Sequence, residues 1–231
     1  MLVSHKAKFI YLKTFKTAGT SVEQALESAC RPFGSPADGS YYNGPEGIVA
    51  ERGGRREGNP YRSHADARLV RHQLGKPIWN SYTKVAAVRD PYEKAVSMFW
   101  HQHTRHGLIP EPGEPQSAIT AFQDWICGGA RLPRDIFRVS IKGEVFLDFA
   151  IRHERIETDL AAFCGQVGIP VAPLRRFHGE LRQLDLDHRA YYNSATAERV
   201  ADHYALDFQA FGYDVDDWQP RQERQHSRSA A

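Results

Sequence analysis

Phe9-Ile-Tyr-Leu-Lys-Thr-Phe-Lys-Thr-Ala-Gly-Thr-Ser-Val22 is the stretch on which the reading of the fold turns. Phe9–Leu12 is a short apolar run of strand-favouring residues. Beyond Ser21 the period changes, and Val22, Ala25, Leu26 and Ala29 fall on one face of a helix. The order is strand, loop, helix. The loop supplies Lys13, Lys16, the hydroxyls of Thr14, Thr17, Thr20 and Ser21, and a single glycine, Gly19, preceded by Ala18. Free amides and the helix dipole both favour an anion where such a loop opens a helix, so a phosphate site is expected there.

The pattern is not a Walker A loop. That motif places its lysine directly after a second glycine, whereas Lys16 precedes the only glycine here, which disfavours an ATP or GTP γ-phosphate site. A second signal follows in Lys84-Val-Ala-Ala-Val-Arg-Asp-Pro-Tyr-Glu-Lys-Ala-Val-Ser-Met-Phe-Trp100. Residues 85–88 form an apolar run of buried-strand length. Asp90 is placed as the N-cap of the next helix, Pro91 in its first turn, and Glu93 closes a capping box. Arg89 then ends the strand and Ser97 lies two turns into the helix, and both side chains can donate to a phosphate.

Together the two stretches resemble sulfotransferases that use 3′-phosphoadenosine-5′-phosphosulfate (PAPS). The resemblance is nearest to the carbohydrate 2-O- and 3-O-sulfotransferase branch and spans roughly residues 8–213. It implies an α/β fold with a P-loop-like central parallel sheet flanked by helices and a long insertion after the first helix. It further implies that Lys13, Lys16, Thr17, Ala18, Gly19, Thr20 and Ser21 hold the 5′ end of PAPS, and that Arg89 and Ser97 hold its 3′-phosphate. Lys16 is the implied catalytic cation at the leaving oxygen, and no metal is required. The acceptor is expected to be a hydroxyl-bearing small molecule or glycan.

Ser63-His-Ala-Asp66 has capping-box spacing, which puts His64 at the first position of a helix carrying Ala67, Val70 and Leu74, with a stop at Gly75 before Pro77. The positive end of the dipole would keep that imidazole neutral. His64 is accordingly expected to be the base that takes the acceptor's proton, with His101, Glu154 and Asp66 as substitutes.

The 231 residues carry a formal charge of +2, which argues against a general nucleic-acid coat. Cys30, Cys127 and Cys164 are widely spaced, odd in number and lack a C-x-x-C pair, so neither a disulfide framework nor a zinc site is expected. His101, His103 and His106 lack the separated partners a metal site would want. No signal peptide is visible and no apolar run approaches the ~20 residues that span a bilayer, so a cytoplasmic location is expected.

Residues 1–218 read as one domain. Residues 31–62 read as a long glycine- and arginine-rich loop with at most one short element, with Arg52, Arg55 and Arg56 available to an acceptor. A proline- and glycine-rich loop is expected at 107–115, and helices after Ser117 and after Asn193 or Ser194. A strand over 145–151 precedes a helix marked by Ile156, Leu160, Phe163, Cys164 and Val167. The polar tail at 219–231 is expected to be disordered. Two rival classes are a nucleotide-dependent kinase on the same loop and a non-catalytic nucleotide- or nucleic-acid-binding module.

Overall fold

The computed structural model describes residues 1–52, 59–106, 114–175 and 184–220, the side chains of 104–106 excepted. Positions 107–113 of the loop expected at 107–115, positions 221–231 of the tail expected at 219–231, and Arg55 and Arg56 lie outside those residues. The chain forms two compact units, each built from two segments. One comprises Met1–Arg89 with Asp135–Phe177, the other Asp90–Arg134 with His178–Ala231.

The first unit is α/β, with helices flanking a six-stranded sheet. Its strands are β1 (Leu2–Ser4), β2 (Phe9–Leu12), β3 (Tyr42–Gly44), β4 (Gly47–Val49), β5 (Thr83–Val88) and β8 (Phe149–Arg152), in the order β3-β4-β1-β2-β5-β8. The sheet is mixed, which corrects the expectation of a parallel one. Among the described strands, the β2–β5 and β5–β8 pairs are parallel, whereas the β2–β1, β1–β4 and β4–β3 pairs are antiparallel. The reason lies in the connections, because four residues between β1 and β2 permit only a reversal. Helices α1 (Gly19–Glu27) and α2 (Ala67–Ser81) lie between β2 and β5, long enough for a parallel crossover.

Within residues 31–52 the short structured element is the β3-β4 hairpin. Gly47 is required for its docking, because a Cβ there would lie 2.0 Å from the Val3 carbonyl oxygen. Phe9, Tyr11, Val22, Leu26, Val85, Ala87, Ile151, Leu160 and Phe163 are fully buried in one cluster of this unit. The expected strand over 145–151 divides. β7 (Glu144–Val145) pairs with β6 (Ser140–Ile141), while β8 starts beyond Asp148, whose carboxylate takes the Lys84 amide at 2.7 Å. Helix α5 (Ile136–Val139) and helix α6 (Ile156–Val167) complete the unit, and Gly168 ends α6 in the left-handed conformation at φ 69°.

Helix α1 also points two carboxylates inward. Glu23 meets the Met1 amine at 2.8 Å, Lys13 at 2.7 Å and Arg52 at 3.0 Å; Glu27 meets Arg31 at 2.8 Å and Arg52 at 2.7 Å. Burial favours the protonated Glu23, but the Met1 amine and Lys13 outweigh it and hold the carboxyl down at about 2. Arg52 is therefore bound to the helix rather than offered to an acceptor.

The second unit is helical: α3 (Pro91–His106), α4 (Pro115–Cys127), α7 (Ser194–His203) and α8 (Ala205–Phe211). Asp90 caps α3 as expected, its Oδ1 accepting the amides of Tyr92 at 2.9 Å and Glu93 at 3.0 Å. Helix α3 runs on through His101, His103 and His106, and α4 starts at Pro115 rather than after Ser117. Asn193 caps α7 in a reciprocal box with Thr196. Phe99, Trp100, Phe122, Tyr191 and Tyr204 form the aromatic heart of the core, and Trp100 Nε1 donates to the Tyr191 hydroxyl at 3.1 Å. Among the described residues, no helix is long and apolar enough to cross a membrane.

Candidate functional site

The C-terminal ends of parallel strands are where open α/β sheets bind ligands. Here the end of β2 delivers the loop 13–18 and the end of β5 delivers Arg89. Among the described residues, four non-glycine residues have positive φ, and two lie in this loop: Lys16 at 57° and Ala18 at 56°. Each such residue costs about 1–3 kcal/mol, so the surroundings must enforce the conformation.

The enforcing contacts are specific. Thr14 Oγ1 donates to the Ala87 carbonyl of β5 at 2.5 Å. Its single proton is thereby spent, so the 2.8 Å contact with Thr17 must use the Thr17 proton. The Tyr11 hydroxyl donates to the Gly19 carbonyl at 3.2 Å, and the Phe15 amide donates to both oxygens of Asp135 at 3.0 Å. Arg89 Nη1 donates to the Lys16 carbonyl at 3.0 Å. Gly19 sits where a Cβ would press on Lys13 Cγ at 3.1 Å and the Thr14 carbonyl at 3.2 Å.

The left-handed residues bracket Thr17 and turn the chain into α1, whose N-cap, Ala18, has no side-chain oxygen to cap the first amides. A chain reversal of this kind at a helix start gathers N–H groups into an anion-binding concavity. Thr17 and Ser21 are buried, whereas Lys16, Ala18 and Thr20 are half-buried.

The predicted residues divide. Lys16 and Arg89 are brought within hydrogen-bonding distance of one another through the Lys16 carbonyl. Lys13 is instead buried against Glu23, which commits its ammonium to α1. Ser97 lies half-buried on α3 in the second unit.

His64 is not on a helix, which corrects the expectation about its neutrality. Asp66 is the N-cap and α2 begins at Ala67. The His64 ring instead stacks on Phe15 with centroids 4.1 Å apart and 4° between planes. Burial, then the charges of Lys13, the Met1 amine and Arg138, lower its pKa to about 3. Its Nδ1 lies 3.2 Å from the Lys13 carbonyl, which can only accept, so Nδ1 carries the hydrogen and Nε2 keeps the lone pair. The helix stop at Gly75 is present, with φ 77° ahead of Pro77.

Asp135 and Arg138 escaped the sequence reading. Arg138 lies over the Phe15 ring at 4.6 Å and meets Asp135 at 3.5 Å. Phe15 lies 120 positions before Asp135, and no local pattern links them.

Among the described residues, Asp90, His188 and Asp217 of the second unit form the one group of three that could hold a metal, with ligand atoms within 4.8 Å. Those atoms are already engaged. Asp90 Oδ1 caps α3, Asp217 Oδ1 takes Arg189 at 2.5 Å, and His188 Nε2 faces the Asp217 carbonyl at 3.1 Å. Burial disfavours charge on His188, but the Glu93 hydrogen bond and the charges of Asp90 and Glu93 prevail and raise its pKa.

Compared with known protein families, curated proteins and solved structures, the chain matches none.

Proposed function

We propose that the protein is a sulfotransferase that moves the sulfuryl group of PAPS to a hydroxyl acceptor, a carbohydrate by resemblance. One observation carries the reading. The guanidinium at the end of β5 bonds the carbonyl of Lys16 inside a strained loop at the start of α1. This juxtaposes two cationic residues and a set of helix-opening amides, suited to a ligand with anions at both ends of one nucleoside.

PAPS would supply the activated sulfuryl group and a phosphate leaving group. By analogy with phosphoryl transfer, the transition state is loose and negative charge grows on the leaving oxygen, so catalysis rests on positioning and electrostatics. In this reading Lys16 and the amides opening α1, with the hydroxyls of Thr20 and Ser21, stabilise that charge. Arg89 holds the second anion. Lys13 serves the loop indirectly by neutralising Glu23. His64 Nε2 accepts the acceptor's proton. A base whose pKa lies near 3 is weak, and bringing anions to the cations around it would raise its basicity toward the working range. The set needs no metal to balance the charge.

The test is transfer of label from radiolabelled PAPS to a panel of glycans, lipids and phenols. Lys16→Ala should abolish transfer with an unchanged melting curve, Arg89→Ala should chiefly raise KM for PAPS, and His64→Ala should lower kcat. Transfer by Lys16→Ala at more than half the parent rate would refute the assignment. Magnesium-dependent turnover of ATP would favour a kinase instead.

A further inference from the structure

We propose that Asp135 is the positioning residue of the anion loop, acting as an acceptor for the Phe15 amide while its negative charge works against the anion. The proposal rests on the sulfotransferase reading and deepens it. Asp135 stands at the N-cap of α5 yet makes no side-chain cap bond there. Its carboxylate is turned instead to the Phe15 amide, 3.0 Å from each oxygen, and the side chain is 3% exposed.

Phe15 immediately precedes Lys16, the first left-handed residue of the loop. Fixing its N–H fixes the peptide plane from which the reversal starts. Without that acceptor a buried donor is left unsatisfied, and the loop gains reason to leave a conformation that is already costly. The same anchor extends to the base. Arg138 joins Asp135 at 3.5 Å and lies over the Phe15 ring at 4.6 Å, and that ring stacks on His64 at 4.1 Å. Asp135 thus sets Phe15, and Phe15 is shared by the anion loop and the imidazole.

A carboxylate beside an anion site lowers affinity unless its geometry repays the repulsion. That conflict separates positioning from charge. Asparagine keeps an oxygen acceptor and loses the charge; alanine loses both.

The experiment compares Asp135→Ala and Asp135→Asn in the full chain. Calorimetric titration with adenosine 3′,5′-bisphosphate is paired with hydrogen exchange of the Phe15 amide and a melting curve. Asp135→Ala should weaken binding at least tenfold and speed Phe15 exchange at least tenfold. Asp135→Asn should retain affinity within threefold of the parent, or exceed it, with Phe15 still protected. Unchanged affinity in Asp135→Ala, or equal losses in both variants, would overturn the proposal. Should the alanine variant fail to fold, Asp135→Asn decides: lost Phe15 protection at parent affinity refutes positioning, and retained protection supports it. Lys16→Ala in the same titration isolates the underlying reading. If Lys16→Ala loses binding while Asp135→Ala binds normally, only the positioning role falls. If the parent protein fails to bind the bisphosphate, both fall.

Discussion

Glu23→Gln removes the one negative group shared by the Met1 amine, Lys13 and Arg52, leaving the Lys13 ammonium beside a neutral amide while Arg52 keeps Glu27. The cost follows from the titration of the carboxyl, whose ordinary value of 4.5 drops to about 2 in the fold. At ~1.36 kcal/mol per pH unit this is about 3 kcal/mol. The general cost of breaking a buried ion pair, ~3–5 kcal/mol, agrees. A carboxyl held below its unfolded value stabilises the fold above pH 4.5, and that contribution is lost as the pH falls toward 2. Urea unfolding followed by circular dichroism at pH 7 and pH 3 reads both quantities. Glu23→Gln should lose about 3 kcal/mol at pH 7 and roughly half that at pH 3, where the unfolded carboxyl is already protonated. Exposed Glu198 serves as control, and Glu198→Gln should stay within ~0.5 kcal/mol of the parent. A pH 7 loss in Glu23→Gln below ~0.5 kcal/mol, or one equal at both pH values, would refute the reasoning.

Three further outcomes are expected. Gly47→Ala should destabilise by at least ~1–3 kcal/mol in the same unfolding assay, since its Cβ meets backbone rather than a movable side chain; an unchanged midpoint would show that the hairpin docks elsewhere. Ala18→Gly relieves the left-handed strain but loosens the unfolded chain, so stability should change by ~1 kcal/mol or less, whereas Ala18→Val should lose more than ~1 kcal/mol. Because the folded His64 pKa lies below its unfolded value, its contribution to stability is present above pH 6.5 and lost as the pH falls toward 3. Nitrogen-15 spectra of the ring at pH 5 should show a neutral imidazole protonated on Nδ1, and an imidazolium there would contradict the structure.

Much of the fold was legible because its signals are local. The apolar run in β2, the change of period into α1, the Asp90 cap and the Gly75 break each announce themselves within a few residues. Strands β1, β3 and β4 are three residues long, too short for an alternation to register, so the antiparallel half of the sheet went unread. Glu23 and Glu27 look like the wet face of a helix. They are buried only because Lys13, Arg31 and Arg52 close around them, Arg52 from 25 positions beyond Glu27. Around the candidate site, motif order placed the loop ahead of α1 and Arg89 at the end of β5. The neutrality expected of His64 comes from burial beside cations rather than from a helix end. Asp135 was invisible because its contact with the Phe15 amide crosses 120 positions.

The two units exchange chain three times, at 89/90, 134/135 and 177/178. During synthesis, α3 and α4 emerge long before α7 and α8, the helices that bury Phe99 and Phe122 alongside them. The helical half therefore has to wait, with aromatic surface uncovered, until α7 and α8 have left the ribosome. Neither half can be excised as one uninterrupted fragment, and a nascent chain halted before the last two helices is a natural client for chaperones.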